Sequence, residues 1–237
     1  MIRGTNPVLK AALAVLLLAP FSAAANVDIN VMNFSFSPND VTINPGDTVT
    51  WKWVGGVHTI TSGVASTCTG AGTLFDQHSD SGHTMFVFTF TNAGVFDFFC
   101  RIHENMNMKG VVRVNGLTFN GTPSAGNMVN FTVSNLPLTD ENLKAFVLLS
   151  ITGTSPGISF GPCVPVVPVT LDQVTLLGLS VSSAFTTGPI TGGTASTPTF
   201  PFPTAPPGLT VFTAAIVINL STGGFGSVLP STSFTTQ

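Results

Sequence analysis

Three side chains that bind soft metal ions lie in one short stretch near the middle of the chain. They are Cys100, His103 and Met108. A thiolate, an imidazole and a thioether together suit copper, and two His and one Cys with a long, weak axial Met are typical of electron-transferring copper sites. That set needs a second His, and His58 is the candidate upstream. The residues therefore predict one mononuclear copper site.

Each of these residues also has a simpler interpretation when it is taken alone. A Cys that ends a Phe-rich strand is usually a small buried hydrophobe, and a Cys-x2-His pair is also half of a zinc site. Zinc would need a fourth nitrogen, sulfur or oxygen ligand, which His78 or His83 would have to supply. Four residue types in this order favour copper over zinc.

Alternating apolar residues surround the candidate ligands and predict β-strands. They run through Val27, Ile29 and Val31, through Val49, Trp51 and Trp53, through Phe86, Phe88 and Phe90, and through Phe96, Phe98 and Cys100. The run Asn44-Pro45-Gly46-Asp47 predicts a turn, because Pro presets φ and Gly accepts a positive φ. Cys100 then stands at the end of an inward-facing aromatic row, and we expect a rigid sandwich to hold the ligands.

The spacing Cys-x2-His-x4-Met, the Met-x-Gly-x-Val-x-Val that begins at Met108, and a His shortly after Trp51-Lys52-Trp53 form a recognisable combination. Over residues 27–114 it resembles the plastocyanin-like cupredoxins. The resemblance implies a Greek-key β-sandwich with His58, Cys100 and His103 as the strong ligands of one type 1 copper. It implies Met108 as the axial ligand, and Met106 stays an alternative because a shorter loop of the amicyanin type would select it.

The same resemblance implies a function. Blue-copper proteins of this kind carry single electrons between Cu(I) and Cu(II), dock transiently with redox protein donors and acceptors, and are not enzymes. Two positions depart from the commoner family pattern. Thr59 follows the first ligand His where Asn is frequent, and Glu104 follows His103 where Pro, Gly or Gln is usual. The hydrogen bonding around Cys100 therefore cannot be carried over from the family, and Glu104 adds charge beside the expected electron-exit edge.

Residues 1–25 have the organisation of a secretory signal peptide. Arg3 and Lys10 precede an apolar core over 11–18, and small residues follow at 23–25. The apolar stretch is too short to span a membrane, so we expect a mature chain that begins near Asn26 and is exported to the periplasm or the exterior. No later segment predicts a membrane span.

Charge and cysteine usage narrow the partners and the compartment. Without Arg3 and Lys10, five basic residues stand against ten acidic ones, which argues against nucleic acid as a partner. Three Cys leave one unpaired thiol after any pairing. If Cys100 is the copper thiolate, then Cys68 and Cys163 are candidates for a disulfide; the alternative is two separate buried thiols.

After residue 115 the composition changes. Residues 116–237 contain no His and only four charged residues, which are Asp140, Glu141, Lys144 and Asp172. Alternating stretches such as 129–133 and 212–220 predict a second β-sandwich-like domain, which loosely resembles β-rich modules of secreted bacterial proteins and has no assigned function. We therefore expect an all-β protein with a copper-binding domain at 26–115 and a second domain at 116–237. The Pro- and Thr-rich segment 194–207 predicts an exposed loop.

Other functions compete with electron transfer. The same ligands could serve a copper chaperone or a sequestering protein, and the second half keeps a surface or adhesion role open. A trinuclear copper oxidase is excluded because the chain has four His in total. The Gly-x-Ser-x-Gly match at 157–161 does not indicate a hydrolase, because that half contains no His to act as the base.

Overall fold

The structure is a computed structural model that describes residues 24–172, 174–175 and 182–237. The predicted signal peptide falls almost wholly outside the described residues, since only its last two positions are included. None of the helices in the described part of the chain has the length and apolar character that crossing a membrane requires. The prediction of an all-β protein is confirmed.

Nine strands form the first half. They are β1 (Asn26–Met32), β2 (Ser35–Ser37), β3 (Asp40–Ile43), β4 (Thr48–Trp53), β5 (His58–Ser62), β6 (Asp76–Ser79), β7 (Met85–Thr89), β8 (Gly94–Phe99) and β9 (Lys109–Val114). One sheet has the order β2-β1-β4-β7 and the other has the order β3-β9-β8-β5-β6. Strands β1 and β4 pair in parallel, as do β3 and β9, so the chain crosses between the sheets as a Greek-key sandwich requires.

The core of this sandwich is aromatic. Trp51 of the first sheet packs edge-on against Phe98 of the second and stacks on Phe86, with ring centroids 5.4 Å apart in each case. Trp51 and Phe98 are almost fully buried. Cys100 and Met108 belong to the same buried cluster, so the period-two pattern of the sequence carries the candidate thiolate directly into the core.

The elements of the second half that the structure describes include seven strands and a short α-helix. They are β10 (Leu117–Asn120), β11 (Met128–Val133), β12 (Lys144–Ser150), α1 (Ser182–Phe185), β13 (Ala195–Ser196), β14 (Phe200–Pro201), β15 (Thr210–Asn219) and β16 (Gly224–Thr235). One sheet has the order β10-β11-β13, with β14 also paired to β11, and the other has the order β12-β15-β16. A buried cluster that includes Phe131, Val147 and Val217 lies between them.

The four sheets stack in layers. On the face away from Phe131, the β12-β15-β16 sheet buries Leu148, Ile216 and Val228 together with Val95 of β8. The sheet is therefore covered on both faces, which explains why β15 is an almost continuous run of buried residues rather than an alternating one. Strand β8 likewise has two covered faces: Phe96 and Phe98 pack in the core of the first sandwich, while Val95 packs with residues of the second half and Asp97 lines a cleft with Ser155.

Residues 76–79 form β6 and pair with β5. The expectation of an exposed loop at 194–207 was wrong in part. In the segment 194–207, residues 195–196 and 200–201 pair with β11, and Phe202 is buried. Pro and Thr are compatible with short edge strands, and pairing with β11 outweighed the local turn composition.

Candidate metal centre

Two neighbouring strands carry the candidate ligands to one end of the first sandwich. His58 is the first residue of β5, and Cys100 directly follows β8, which pairs with β5. His103 precedes a 3₁₀ turn at Glu104–Met106, and Met108 directly precedes β9. We call residues 100–108 the ligand loop. Both ends of the ligand loop are therefore fixed by adjacent strands of one sheet.

Three donor atoms converge. The Nδ1 atoms of His58 and His103 are 3.1 Å apart, and Cys100 Sγ lies 4.0 Å from the first and 3.5 Å from the second. Metal–ligand bonds of about 2.0–2.3 Å place neighbouring donors about 3.3–4 Å apart. Both sulfur–nitrogen distances fall in that range, and a small separation of the two nitrogens would let all three atoms share one metal ion. Among the described residues, this is the one cluster of three or more His, Cys, Asp or Glu donors near enough to hold a metal together.

His58 is set up as a neutral ligand. Its Nε2 lies 2.9 Å from the carbonyl oxygen of Gly55, so the Nε2–H donates there and the lone pair is left on Nδ1, which faces Cys100. Burial lowers the pKa of His58; the hydrogen bond to Gly55 opposes this, and the nearby His103 adds to it. Gly56, at φ +86°, lies so close to the imidazole that any side chain there would collide with His58.

Cys100 is fully buried and is the free cysteine of the chain. The Thr59 N–H donates to Cys100 Sγ at 3.3 Å and so helps to fix the position of the sulfur. The Thr59 hydroxyl oxygen accepts the Arg101 N–H at 2.8 Å and lies 3.0 Å from the Thr61 hydroxyl, which donates to Asp76 at 2.7 Å. Thr59 thus ties the ligand loop to β5. This is the residue that stands where Asn is frequent in the cupredoxin pattern, and its hydroxyl makes the hydrogen bond to the ligand loop.

The two axial candidates differ sharply in burial. Met108 is 1% exposed and lies in the core cluster that contains Cys100, whereas Met106 is 61% exposed. A thioether that is to bind the same ion as the buried Cys100 would have to lie in the interior with it. Burial therefore favours Met108.

His78 and His83 lie apart from this cluster. His78 is on β6, and His83 pairs with Asp80 in the turn that follows, with Nδ1 2.9 Å from Asp80 Oδ1. Their rings are 6.2 Å apart and both residues are exposed. The structure does not bring either one to His58, Cys100 and His103, so it offers no fourth ligand for a zinc site from this pair.

Cys68 and Cys163 form a disulfide with their Cα atoms 5.4 Å apart. The bond joins the loop before β6 to the second half of the chain. Cys100 is thereby left as the thiol available to a metal, which is the arrangement that the odd cysteine count had suggested.

Several contacts around the site were not found from the sequence. Phe34 packs edge-on against His103 with ring centroids 4.8 Å apart, from a backbone with φ +59° that nothing in the sequence signals. Glu104 accepts the Ser66 N–H, and Arg101 pairs with Asp76. The two charged residues that flank His103, Arg101 and Glu104, are visible in the sequence. Their partners Asp76 and Ser66 lie too far away along the chain to be identified from it.

The first half of the chain is similar to known copper proteins. Residues 23–115 match the family of copper binding proteins, plastocyanin/azurin family. Solved structures similar to part of the chain include plastocyanin from Dryopteris crassirhizoma (23% identity, 38% of this chain and 100% of that chain, TM-score 0.32) and amicyanin from Paracoccus versutus (22%, 40% and 86%, 0.31). A purple cupredoxin from Nitrosopumilus maritimus gives 24% identity over 38% of this chain and 99% of that chain, with a TM-score of 0.33. No curated protein gives a significant match.

Proposed function

We propose that the protein is a mononuclear blue-copper electron carrier, with the copper held by His58, Cys100 and His103 and, at the axial position, by Met108. The observation that carries the proposal is the convergence of two imidazole Nδ1 atoms and one buried thiol sulfur within 4.8 Å of one another. Copper bound there would cycle between Cu(I) and Cu(II) and so accept and release one electron.

The residues of the chain prepare the site for that role. Strands β5 and β8 fix His58 and Cys100, and the hydrogen bond from His58 to Gly55 fixes the tautomer. Ligands held in this way move little when the charge at the site changes, and small reorganisation favours fast electron transfer. The Thr59 N–H donates to Cys100 Sγ and holds the sulfur in place from β5.

The edge of His103 is the proposed exit for the electron. His103 is partly exposed, while the other three proposed ligands are buried. The exposed apolar side chains of Phe34, Ile102 and Met106 lie on or next to the ligand loop. Apolar side chains suit brief docking of a redox protein, and the two charged residues that flank His103 already have partners, Arg101 with Asp76 and Glu104 with the Ser66 N–H.

The setting of the site is part of the proposal. The structure contains a disulfide, which is expected of an exported protein, and we propose a mature chain that begins near Asn26 in the periplasm or outside the cell. We propose a copper-binding domain at 26–115 followed by a second domain at 116–237, and no bond-making catalysis at either.

The test is the visible absorption spectrum of the mature protein loaded with Cu(II), before and after ascorbate. An intense thiolate-to-copper band that bleaches on reduction and returns on oxidation supports the carrier. Cys100→Ser should abolish the band, and His78→Ala should leave it unchanged as a matched control outside the cluster. Colourless protein that binds Cu(I) tightly and passes it to an acceptor would instead support a copper chaperone or sequestering protein.

A further inference from the structure

One loop touches both the ligand loop and the second half of the chain. Residues 63–75, which we call the bracing loop, connect β5 to β6. Ser62, directly before the bracing loop, holds the far end of that loop: its carbonyl accepts the Gly72 N–H at 2.7 Å, and its hydroxyl oxygen accepts the N–H groups of Leu74 and Phe75 at 3.1 Å. The bracing loop is thus held to the sandwich at its base.

The bracing loop forms hydrogen bonds with the ligand loop on both sides of His103. The Ser66 N–H donates to the Glu104 carboxylate at 3.1 Å, and the Arg101 guanidinium donates to the Ala71 carbonyl at 3.3 Å. Arg101 also pairs with Asp76, directly after the bracing loop, through contacts of 2.9 and 3.1 Å. Since Arg101 and Glu104 flank His103 in the chain, these contacts restrain the segment that carries the more exposed of the two His ligands.

Gly72 makes the Arg101 contact possible. A Cβ at this position would lie 2.7 Å from Arg101 Nη2 and 3.0 Å from Asp76 Oδ2, so the guanidinium and the carboxylate occupy the space that a side chain would need. Gly70 has nearly the same backbone conformation, with φ +89° against +82°, but a Cβ there would meet nothing nearer than 3.8 Å. The two glycines therefore differ in what surrounds them rather than in backbone strain.

The tip of the bracing loop is tied to the second half. Cys68 lies between Ser66 and Ala71, and its disulfide partner Cys163 lies in the segment that leads to Val167 and Val169. Those two valines are fully buried in the cluster that also contains Val95 of β8. The disulfide thus connects the tip of the bracing loop to a fixed part of the core.

We infer that the bracing loop is a positioning element for His103 and that the Cys68–Cys163 disulfide is its outer anchor. The second half of the chain would then act on the metal centre through Cys68, Ser66 and Glu104, and through Ala71 and Arg101, although it supplies no ligand. The redox consequence rests on the proposed function. The restraint on the ligand loop does not, because it concerns the metal-free chain.

The first experiment compares Gly72→Ala with Gly70→Ala in the full mature protein. Hydrogen exchange of the metal-free forms is measured at the amides of His103 and Met106, which donate to Cys100 O and His103 O within the ligand loop. Loss of one partly exposed ion pair predicts exchange about twofold to fivefold faster in Gly72→Ala alone. Equal exchange in the two variants would overturn the role of the bracing loop.

The second experiment separates positioning from stability. The double variant Cys68→Ser with Cys163→Ser is compared with Phe131→Ala, which weakens the distant second core without touching the bracing loop. Only the disulfide variant should speed exchange at His103 and Met106 beyond the protein-wide change, and only it should shift the absorption band and the reduction potential of the copper form. If both variants change the exchange rates, the absorption band and the reduction potential alike, the disulfide contributes only to stability and the inference is wrong.

A conservative rescue completes the test. Glu104→Ala removes the acceptor of the Ser66 N–H, whereas Glu104→Gln keeps an oxygen there and removes only the charge. We expect Glu104→Ala to behave like Gly72→Ala and Glu104→Gln to behave like the unaltered protein. If the amides of His103 and Met106 exchange in Glu104→Ala at the rate of the unaltered protein, the Ser66–Glu104 hydrogen bond does not restrain the ligand loop. If the unaltered protein does not bind copper, the proposed function fails, while the exchange results on the metal-free forms still decide the inference.

Discussion

The two halves of the molecule are built alike but equipped differently. Each is a pair of β-sheets around an aromatic and aliphatic core, yet all four His lie before residue 116 and only four charged residues lie after it. Three of those four have structural partners: Asp140 accepts the Ser227 N–H, Glu141 accepts the Gly192 N–H, and Asp172 accepts those of Ile151 and Thr175. A β-sandwich by itself therefore does not indicate a function. The metal-binding side chains at the ends of the strands do.

Asp172 illustrates the structural use of charge in the second half. Desolvation raises its pKa, but hydrogen bonds from the N–H groups of Thr175 and Ile151 and from the hydroxyls of Ser150 and Thr152 outweigh this, and its pKa is well below the usual value. A carboxylate so surrounded organises a turn and is not available to bind a ligand. In the first half, by contrast, the buried polar groups His58 and Cys100 direct their free electron pairs towards a common point.

The largest expected effect concerns the link between the halves. Replacing Cys68 and Cys163 together by Ser removes a cross-link over a sequence separation of 95, and we expect the free energy of unfolding to fall by about 4–5 kcal/mol. Urea denaturation followed by tryptophan fluorescence and by circular dichroism measures it. Because the second and third layers share a buried cluster, both probes should still report one transition. Two separated transitions would show that the halves are independent.

The next prediction tests whether the core of the first half affects the copper spectrum and the core of the second half does not. Phe131→Ala and Phe98→Ala each remove a fully buried ring, and each should cost about 3–5 kcal/mol of stability. Only Phe98 shares a cluster with Cys100 and Met108. We therefore expect Phe98→Ala to change the copper absorption spectrum and Phe131→Ala to leave it unaltered. A spectral change of equal size in both would remove the distinction between the halves.

A third prediction concerns the boundary between the halves. Asp97 projects from β8 towards the second half, and desolvation raises its pKa from 3.8 to about 6, although Arg113 and Lys109 oppose the shift and Asp40 adds to it. The folded state therefore holds the proton more tightly than the unfolded state. Stability should fall as pH rises from about 4 to 6, and the cost, up to about 3 kcal/mol, is complete above pH 6.

Asp97→Asn should accordingly stabilise the protein by up to about 3 kcal/mol at pH 7 and by almost nothing at pH 4. Thermal unfolding at both pH values measures the difference. Asp28→Asn is the matched control, because Asp28 is exposed and pairs with Lys52 on the surface; it should change stability by less than about 1 kcal/mol. A gain for Asp97→Asn that does not depend on pH would contradict the proposed cause.

The smallest expected change in stability separates the two methionines. Met108→Gln places an amide in the buried cluster and should cost about 1–3 kcal/mol, while Met106→Gln, at an exposed position, should stay within about 0.5 kcal/mol. The copper spectrum and reduction potential should change in Met108→Gln alone. The opposite result would make Met106 the axial ligand.

The local pattern of the sequence predicted the first sandwich well, because alternation reports which face of a strand is buried. It predicted β15 less directly, since a strand covered on both faces loses its alternation. It failed at 194–207, where Pro and Thr residues form short strands beside β11. The reason is physical: pairing with a strand distant in the chain can outweigh the turn preference of the segment itself.

The sequence by itself determined the types of the proposed ligands and the spacing of Cys100, His103 and Met108, because all three belong to one short loop between two strands. Only the tertiary structure brought His58 to Cys100 across 42 positions, buried Met108 while exposing Met106, and joined Cys68 to Cys163. It also turned Asp97 towards the second half and placed the bracing loop on the ligand loop. These outcomes depend on how the sheets pack against one another and on which surfaces are buried. Neither can be predicted from the sequence of one segment, because both depend on residues that are distant along the chain.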